Sequence, residues 1–93
     1  MALSTDARAL LTLIATSPEA VVMSDFFEDL NPAEPGMNED HPGHEAWLWR
    51  QIDWHRVSVR LWQQDLVRVV APANGERGDM VEATEAGRAA LAA

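Results

Sequence analysis

Three side chains that can hydrogen-bond phosphates or nucleic-acid bases recur at helical spacing in the middle of the chain. Arg56, Arg60 and Gln63 are four and three residues apart, which is the spacing of one face of an α-helix. Arginine can form two hydrogen bonds with phosphate or with guanine, and glutamine can do so with adenine. The spacing therefore predicts a polar helix face that suits the major groove of duplex DNA.

The helix that carries these residues is predicted to run from about Gly43 to Gln64. At 100° per residue, one polar arc of roughly 80° separates two apolar sides. The polar arc contains Trp49, Asp53, Arg56, Arg60 and Gln63. One apolar side contains Trp47, Trp54, Val57 and Leu61, and the other contains Leu48, Ile52, Val59 and Trp62. We expect both apolar sides to be buried, with three of the four tryptophans packing in the core.

The polar arc has alternative interpretations. As a solvated face, it would hold Asp53 and Arg56 as a surface ion pair worth a few tenths of a kcal/mol. As a protein interface, it would use Trp49, because an exposed tryptophan beside arginines is typical of interface anchors. The sequence leaves open DNA contact, protein or dimer contact, and no contact at all.

The distribution of charge weighs against nucleic acid. The chain has a net charge of -8, and residues 19–45 (the acidic segment) contain eight acidic residues and no Lys or Arg. Natural DNA binders contact roughly 6–10 phosphates, more than the arginines at positions 50, 56, 60, 68 and 77 can supply. DNA binding would require the acidic segment to face away from the duplex. That segment would otherwise suit a basic protein partner, or imitate the charge of a nucleic acid.

The acidic segment also contains side chains that could bind a metal ion. These are Glu39, Asp40, His41, His44 and Glu45. Their spacing matches no metal motif that the chemistry justifies, so we expect a solvated loop, no metal and no other cofactor. Cysteine is absent, as are a glycine-rich phosphate loop and an apolar pocket that would raise a carboxylate pKa. We expect no enzyme activity.

Caps and periodicity predict the elements that hold the helix. Ser4, Thr5 and Asp6 are candidate caps of a first amphipathic helix that ends at Ser17-Pro18. The run "AVVMS" predicts a short strand, and Ser24 is expected to cap a second helix that ends near Leu30. Residues 31–42 contain three prolines and predict an exposed insertion loop, long for a small domain.

The period changes to that of a strand after Asp65. The stretches "LVRVVA" and "DMVEA" are predicted to form a hairpin across "PANGERG", and Thr84 to cap a closing helix. Arg68 and Arg77 fall on this hairpin, where they would add phosphate contacts if the chain binds DNA. With 93 residues, the chain is predicted to be one domain, 1–93, mainly α with a small β-hairpin (α+β).

Three stretches carry a pattern found in a known class of regulators. "LWQQDLVRVV", "VEATEAGRAAL" and "VVMSDFFEDL" resemble parts of MarR- and PadR-type regulators. The first resembles the end of the recognition helix and the first wing strand, with Asp65 where those families usually have glycine. The second contains their Thr-x-x-Gly-Arg motif as Thr84, Gly87 and Arg88. The resemblance implies a winged helix-turn-helix fold, in which the third helix reads the major groove.

The sequence indicates two candidate functions. The preferred expectation is a DNA-binding transcriptional regulator, with contacts from Arg56, Arg60, Gln63, Arg68 and Arg77 and a homodimer as its natural form. The alternative is an acidic winged-helix module that binds protein, as an adaptor, inhibitor or nucleic-acid mimic. No apolar run approaches the roughly 20 residues that cross a bilayer, and no basic leader precedes the first apolar segment, so we expect a cytoplasmic protein with no membrane contact.

Overall fold

The computed structural model describes residues 3–93, and the first two residues of the predicted domain lie outside this range. The elements are α1 (Thr5–Thr16), β1 (Val21–Val22), α2 (Met23–Leu30), α3 (His44–Gln63), β2 (Val67–Ala71), β3 (Met80–Ala83) and α4 (Glu85–Ala92). The strands form one antiparallel sheet in the order β1-β3-β2. The predicted α+β class, with helices and a small sheet, is confirmed.

Two of the predicted helix caps are present. The Ser4 hydroxyl accepts a hydrogen bond from the Ala7 backbone N–H at 3.1 Å, and the Thr84 hydroxyl accepts one from the Gly87 N–H at 3.0 Å. Each satisfies an N–H that a helix start otherwise leaves unpaired. Within residues 3–93, none of the helices has the length and apolar character needed to span a membrane.

The predicted cap of α2 is wrong. The helix begins at Met23, one residue before Ser24, and its start has no side-chain cap. The cause is the sheet: Val22 pairs with Met80, and the Met23 N–H donates to the Asp79 carbonyl at 3.0 Å. The chain therefore passes from strand to helix without a capping residue, because the hairpin satisfies the first N–H.

The core lies between the helices and the sheet. It contains Leu10, Leu11, Ile14, Phe26, Phe27, Trp54, Leu61, Val67, Val81 and Ala83. Helices α1 and α2 and strands β2 and β3 each contribute buried side chains, and α3 contributes Trp54 and Leu61. Burial of this set fixes one side of α3 against the rest of the molecule.

The junction between α3 and β2 is a left-handed turn at Asp65. Its φ of 61° lies in the region where glycine has the least strain. The Leu66 N–H donates to the Leu61 carbonyl at 2.9 Å and the Asp65 N–H to the Trp62 carbonyl at 3.0 Å, which is the Schellman pattern of a helix end. An aspartate thus adopts the left-handed conformation at the position where the resembled families usually have glycine.

The Thr84, Gly87 and Arg88 motif locks the closing helix to this junction. The Thr84 N–H donates to the Leu66 carbonyl at 3.0 Å, and the Thr84 hydroxyl donates to the Asp65 carbonyl at 2.7 Å. A Cβ at Gly87 would lie 2.1 Å from the Leu66 oxygen, so only glycine allows this approach. The Arg88 guanidinium donates to the Ala15 carbonyl at 2.9 Å, which ties α4 to the end of α1.

The connection between α2 and α3, residues 31–43, is exposed along most of its length, as predicted. Its base is fixed by reciprocal hydrogen bonds. The Trp47 indole N–H donates to the Asn31 carbonyl at 2.9 Å, and the Asn31 side chain donates to the Trp47 carbonyl at 3.2 Å and to Gln51 at 3.0 Å. Trp47 is thus held in its partly buried position by hydrogen bonds as well as by apolar contacts.

Candidate interaction surface on the third helix

The predicted polar arc of α3 faces solvent. Its members Trp49, Asp53, Arg56, Arg60 and Gln63 are all exposed. On the first predicted apolar side, Trp54 and Leu61 are buried together with the adjacent Ser58, whereas Trp47 and Val57 are only partly buried. The expected place of Trp54 in the core is confirmed, and that of Trp47 is wrong, since it lies at the edge of the core. The geometry expected from the 3.6-residue period therefore holds for this half of the helix.

The predicted burial of the second apolar side is wrong. Leu48 is 45% exposed, Val59 is 36% exposed and Trp62 is 58% exposed, and only Ile52 is partly buried. The helix period identifies apolar faces but does not say how many elements cover them. Here α1, α2 and β2 pack against α3, and their contacts leave this face open. Trp62 consequently lies outside the core.

About half of the α3 surface is therefore open, and it has two parallel parts. We call Leu48, Ile52, Val59 and Trp62 the apolar stripe, and we call Trp49, Asp53, Arg56, Arg60 and Gln63 the arginine stripe. At 100° per residue the two stripes lie side by side along the helix. An apolar contact surface thus borders directly on a charged one.

A groove adjoins the apolar stripe. It has a volume of about 620 Å³ and lies between α3, the start of α2 and the hairpin. Its apolar lining includes Phe27, Val59, Trp62, Val67 and Val69. A smaller cavity of about 430 Å³ adjoins the other side of α3, near Ala7, Val57 and Arg60. The larger groove extends the apolar stripe onto the sheet.

The predicted contact arginines separate into two groups. Arg68 forms an ion pair with Glu82 across β2 and β3. Arg77 donates to the carbonyls of Pro72 at 3.3 Å and Gly78 at 3.1 Å, and so holds the hairpin connection together. Arg56 and Arg60, by contrast, have no ion-pair or hydrogen-bond partner among residues 3–93. The anticipated pair between Asp53 and Arg56 is not among the ion pairs of this range.

A further arginine contact was not predicted. Arg50 donates two hydrogen bonds of 2.8 Å to the Asp6 carboxylate, and its guanidinium lies 4.6 Å from the Trp54 ring centroid. These hydrogen bonds, opposed by partial desolvation and helped by the opposite charge, hold the pKa of Asp6 below its ordinary value and raise the pKa of Arg50. The two residues are 44 positions apart, so no local pattern could have indicated the pair.

The acidic segment is a solvated surface. All eight of its acidic side chains are exposed, and Glu34 pairs with His41 at 3.1 Å. The predicted candidate ligands Glu39, Asp40, His41, His44 and Glu45 are not brought together, since residues 3–93 contain no group of three or more metal-ligating side chains. The segment supplies negative charge along α2, the connection and the first turn of α3.

Comparison with known proteins gives no relative for this surface. No protein-family model matches the chain, and no curated protein or solved structure is significantly similar to it.

Proposed function

We propose that the chain is a winged-helix domain that acts as a protein-interaction module and binds its partner through the open half of α3. The order of elements supports the winged-helix assignment. Helix, short strand and two helices precede a hairpin whose second strand, β3, pairs with β1. In this arrangement α3 takes the position of the recognition helix.

One observation carries the choice of partner. The apolar stripe exposes Leu48, Val59 and Trp62 directly beside Arg56 and Arg60, which have no partner within residues 3–93. Tryptophan and arginine are the residues most enriched among the energetically dominant contacts of protein interfaces. Contiguous apolar patches on a soluble domain usually mark contact sites. The open half of α3 has the composition of an interface core with a charged border.

The same surface is less suited to duplex DNA. A helix in the major groove makes most of its contacts through hydrogen-bond donors and acceptors, and the apolar stripe offers only the Trp62 indole N–H. Of the four arginines predicted to contact DNA, Arg68 and Arg77 are engaged within the hairpin. Two arginines are far below the roughly 6–10 phosphate contacts of natural binders, and the net charge of -8 adds long-range repulsion.

DNA binding is the second candidate, favoured by the exposure of Arg56, Arg60 and Gln63 on one helix face. It would make the chain a transcriptional regulator. Its signature is salt-dependent binding to duplex DNA, lost in a variant with Arg56→Ala and Arg60→Ala. The same variant should keep a protein partner that docks on the apolar stripe.

The experiment that separates the two functions uses a photo-crosslinking amino acid at position 63, between the stripes, in cells that express the chain. Protein adducts should form there and be lost when Leu48→Ser and Trp62→Ser are combined. The same crosslinker at Ala89, exposed on α4, is the matched control. Duplex DNA binding of the purified chain is measured at two salt concentrations. Salt-sensitive binding that needs the arginines, without stripe-dependent adducts, would overturn the proposal in favour of the second candidate.

A third partner class follows from the acidic segment. Its eight exposed carboxylates would attract a partner with basic side chains. This partner would differ from one that binds α3, where Arg56 and Arg60 favour acidic side chains and the apolar stripe favours an apolar surface. Binding of a basic protein would depend on the carboxylates of Glu34, Glu39, Asp40 and Glu45. Loss of adducts when these four are neutralised would identify it.

A further inference from the structure

We propose that the partner of the open half of α3 is a second copy of this chain, which packs α3 against α3 in antiparallel orientation about a two-fold axis near residue 55. This inference rests on the proposed protein-interaction function and names its partner. The partner must offer an apolar stripe, an acidic group for Arg56 and a basic group for Asp53. The chain itself carries all three on one helix.

The spacing of the stripes is nearly symmetric about this axis. In an antiparallel pair, residues face each other when their positions lie equally far from the axis on opposite sides. Leu48 then faces Trp62, and Ile52 faces Val59. Asp53 faces Arg56, and Trp49 faces Arg60. The midpoints of all four pairs fall between residues 54 and 56, a spread of about 1.5 Å along the helix.

The pairing also respects the two stripes. A two-fold axis perpendicular to both helices brings each side of one helix onto the same side of the other. The apolar stripe therefore contacts the apolar stripe, and the arginine stripe contacts the arginine stripe. Leu48 and Trp62 bury apolar surface together, and Arg60 lies over the face of Trp49, a favourable cation–π arrangement.

Charge selects the antiparallel orientation. In this orientation each Arg56 meets the Asp53 of the other copy, and the pair occurs twice because the interface is isologous. A parallel two-fold packing, whose axis runs along the helices, would instead place the arginine stripe of each copy beside the apolar stripe of the other. It would also align the two helix dipoles unfavourably. Opposite charge thus supports the antiparallel orientation, whereas the parallel one would set unpaired charged side chains against apolar ones.

The first test measures the mass of the purified chain by sedimentation equilibrium over a wide concentration range. We expect a reversible dimer whose dilution shifts tryptophan emission to longer wavelength, because Trp49 and Trp62 return to water. Trp62→Ala combined with Leu48→Ala should weaken the dimer at least about 10-fold. The far-ultraviolet circular dichroism should stay unchanged, since both side chains are exposed in one copy.

The second test uses charge reversal and addresses the contact of Asp53 with Arg56. Asp53→Arg places arginine against Arg56, and Arg56→Asp places aspartate against Asp53, so each variant alone should raise the dimer dissociation constant at least about 10-fold. Mixing the two variants unites opposite charges at both pairs, and a heterodimer should form. Glu19→Arg, at an exposed position between α1 and β1, is the matched control and should leave self-association unchanged.

A purified chain that stays monomeric at all concentrations would overturn self-association. A dimer insensitive to the apolar double variant, or variants that fail to associate when mixed, would overturn the α3 pairing. The crosslinking experiment at position 63 separates these outcomes from failure of the proposed function. Stripe-dependent adducts with a different protein would support the interaction module and contradict the dimer. A monomeric chain that forms no stripe-dependent adduct would contradict both proposals.

Discussion

The contact between Asp6 and Arg50 joins the first turn of α1 to the middle of α3. Two hydrogen bonds of 2.8 Å and the nearby Trp54 ring fix the guanidinium. The side chains remain 36% and 40% exposed, so solvent screens much of the attraction. It is the ion pair that links these two helices within residues 3–93, and it adds to the core packing of Trp54 and Leu61 that places α3 against α1.

Replacing Asp6 by asparagine should lower the free energy of unfolding by about 0.5–1 kcal/mol at neutral pH, after allowance for screening. The folded pKa of Asp6 lies below its ordinary value of 3.8. Its stabilisation is therefore complete well above that value and is lost as pH falls through the folded pKa. Urea unfolding of both proteins between neutral and acid pH measures this. A difference that grows toward acid pH would contradict the assignment.

Gly87 is a position where one added carbon atom should have a large effect. In an open helix, glycine to alanine gains about 1 kcal/mol, but here the new Cβ would lie 2.1 Å from the Leu66 carbonyl oxygen. We expect Gly87→Ala to cost about 2–3 kcal/mol because backbone must move. Ala89→Gly, on the exposed side of α4, should cost only about 1 kcal/mol. Equal losses in thermal unfolding would argue against the close approach.

Features with a local cause could be predicted from the sequence. The caps at Ser4 and Thr84 depend on neighbours within a few residues, so their residue types were sufficient. The Arg50 contact with Asp6 and the approach of Gly87 to Leu66 depend on residues far apart in the chain. Only the packing of α1 on α3, and of α4 on the junction, brings these groups together.

Among the elements, α3 makes the sharpest stability prediction, because two of its tryptophans differ in burial. Trp54 is 3% exposed and Trp62 is 58% exposed. Trp54→Ala should cost about 3–5 kcal/mol as a truncation in the core, and Trp62→Ala less than about 1 kcal/mol. Chemical denaturation of monomeric chain at low concentration measures both. A comparable loss at Trp62 would mean that the apolar stripe is covered within one copy.

The interpretation of α3 from its sequence was half right for a physical reason. Periodicity assigned both apolar sides correctly as faces, but burial depends on which elements lie against them. The contact made by Arg68 could have been predicted from the sequence. Once "LVRVVA" and "DMVEA" are paired as strands, Arg68 lies opposite Glu82, which is a favourable cross-strand pair. The start of α2 at Met23 without a side-chain cap could not be predicted from local sequence, since its first N–H donates to the carbonyl of the distant Asp79.

For the whole molecule, the separation of charge predicts an unusual response to salt. The acidic side chains of residues 19–45 are exposed and repel one another, while few surface ion pairs oppose this effect. The free energy of unfolding should rise as added salt shortens the Debye length from about 30 Å to about 10 Å. Unfolding by urea at several salt concentrations measures the slope.

The matched variant neutralises Glu28 and Asp29, two exposed acids in the last turn of α2. There they also oppose the helix dipole. Glu28→Gln with Asp29→Asn should raise stability at low salt by a few tenths of a kcal/mol for each charge and reduce the salt slope. An unchanged slope would place the repulsion elsewhere.

The hydrogen bonds between Asn31 and Trp47 give residues 31–43 a further property. Because they clamp both ends of the connection, its interior can lengthen at a cost of only about 0.6 kcal/mol for each doubling. This segment should therefore tolerate insertion or replacement, by evolution or by design, while the rest of the domain keeps its structure. A peptide tag or fluorescent label grafted between Pro35 and Glu39 would report on the molecule without altering its core.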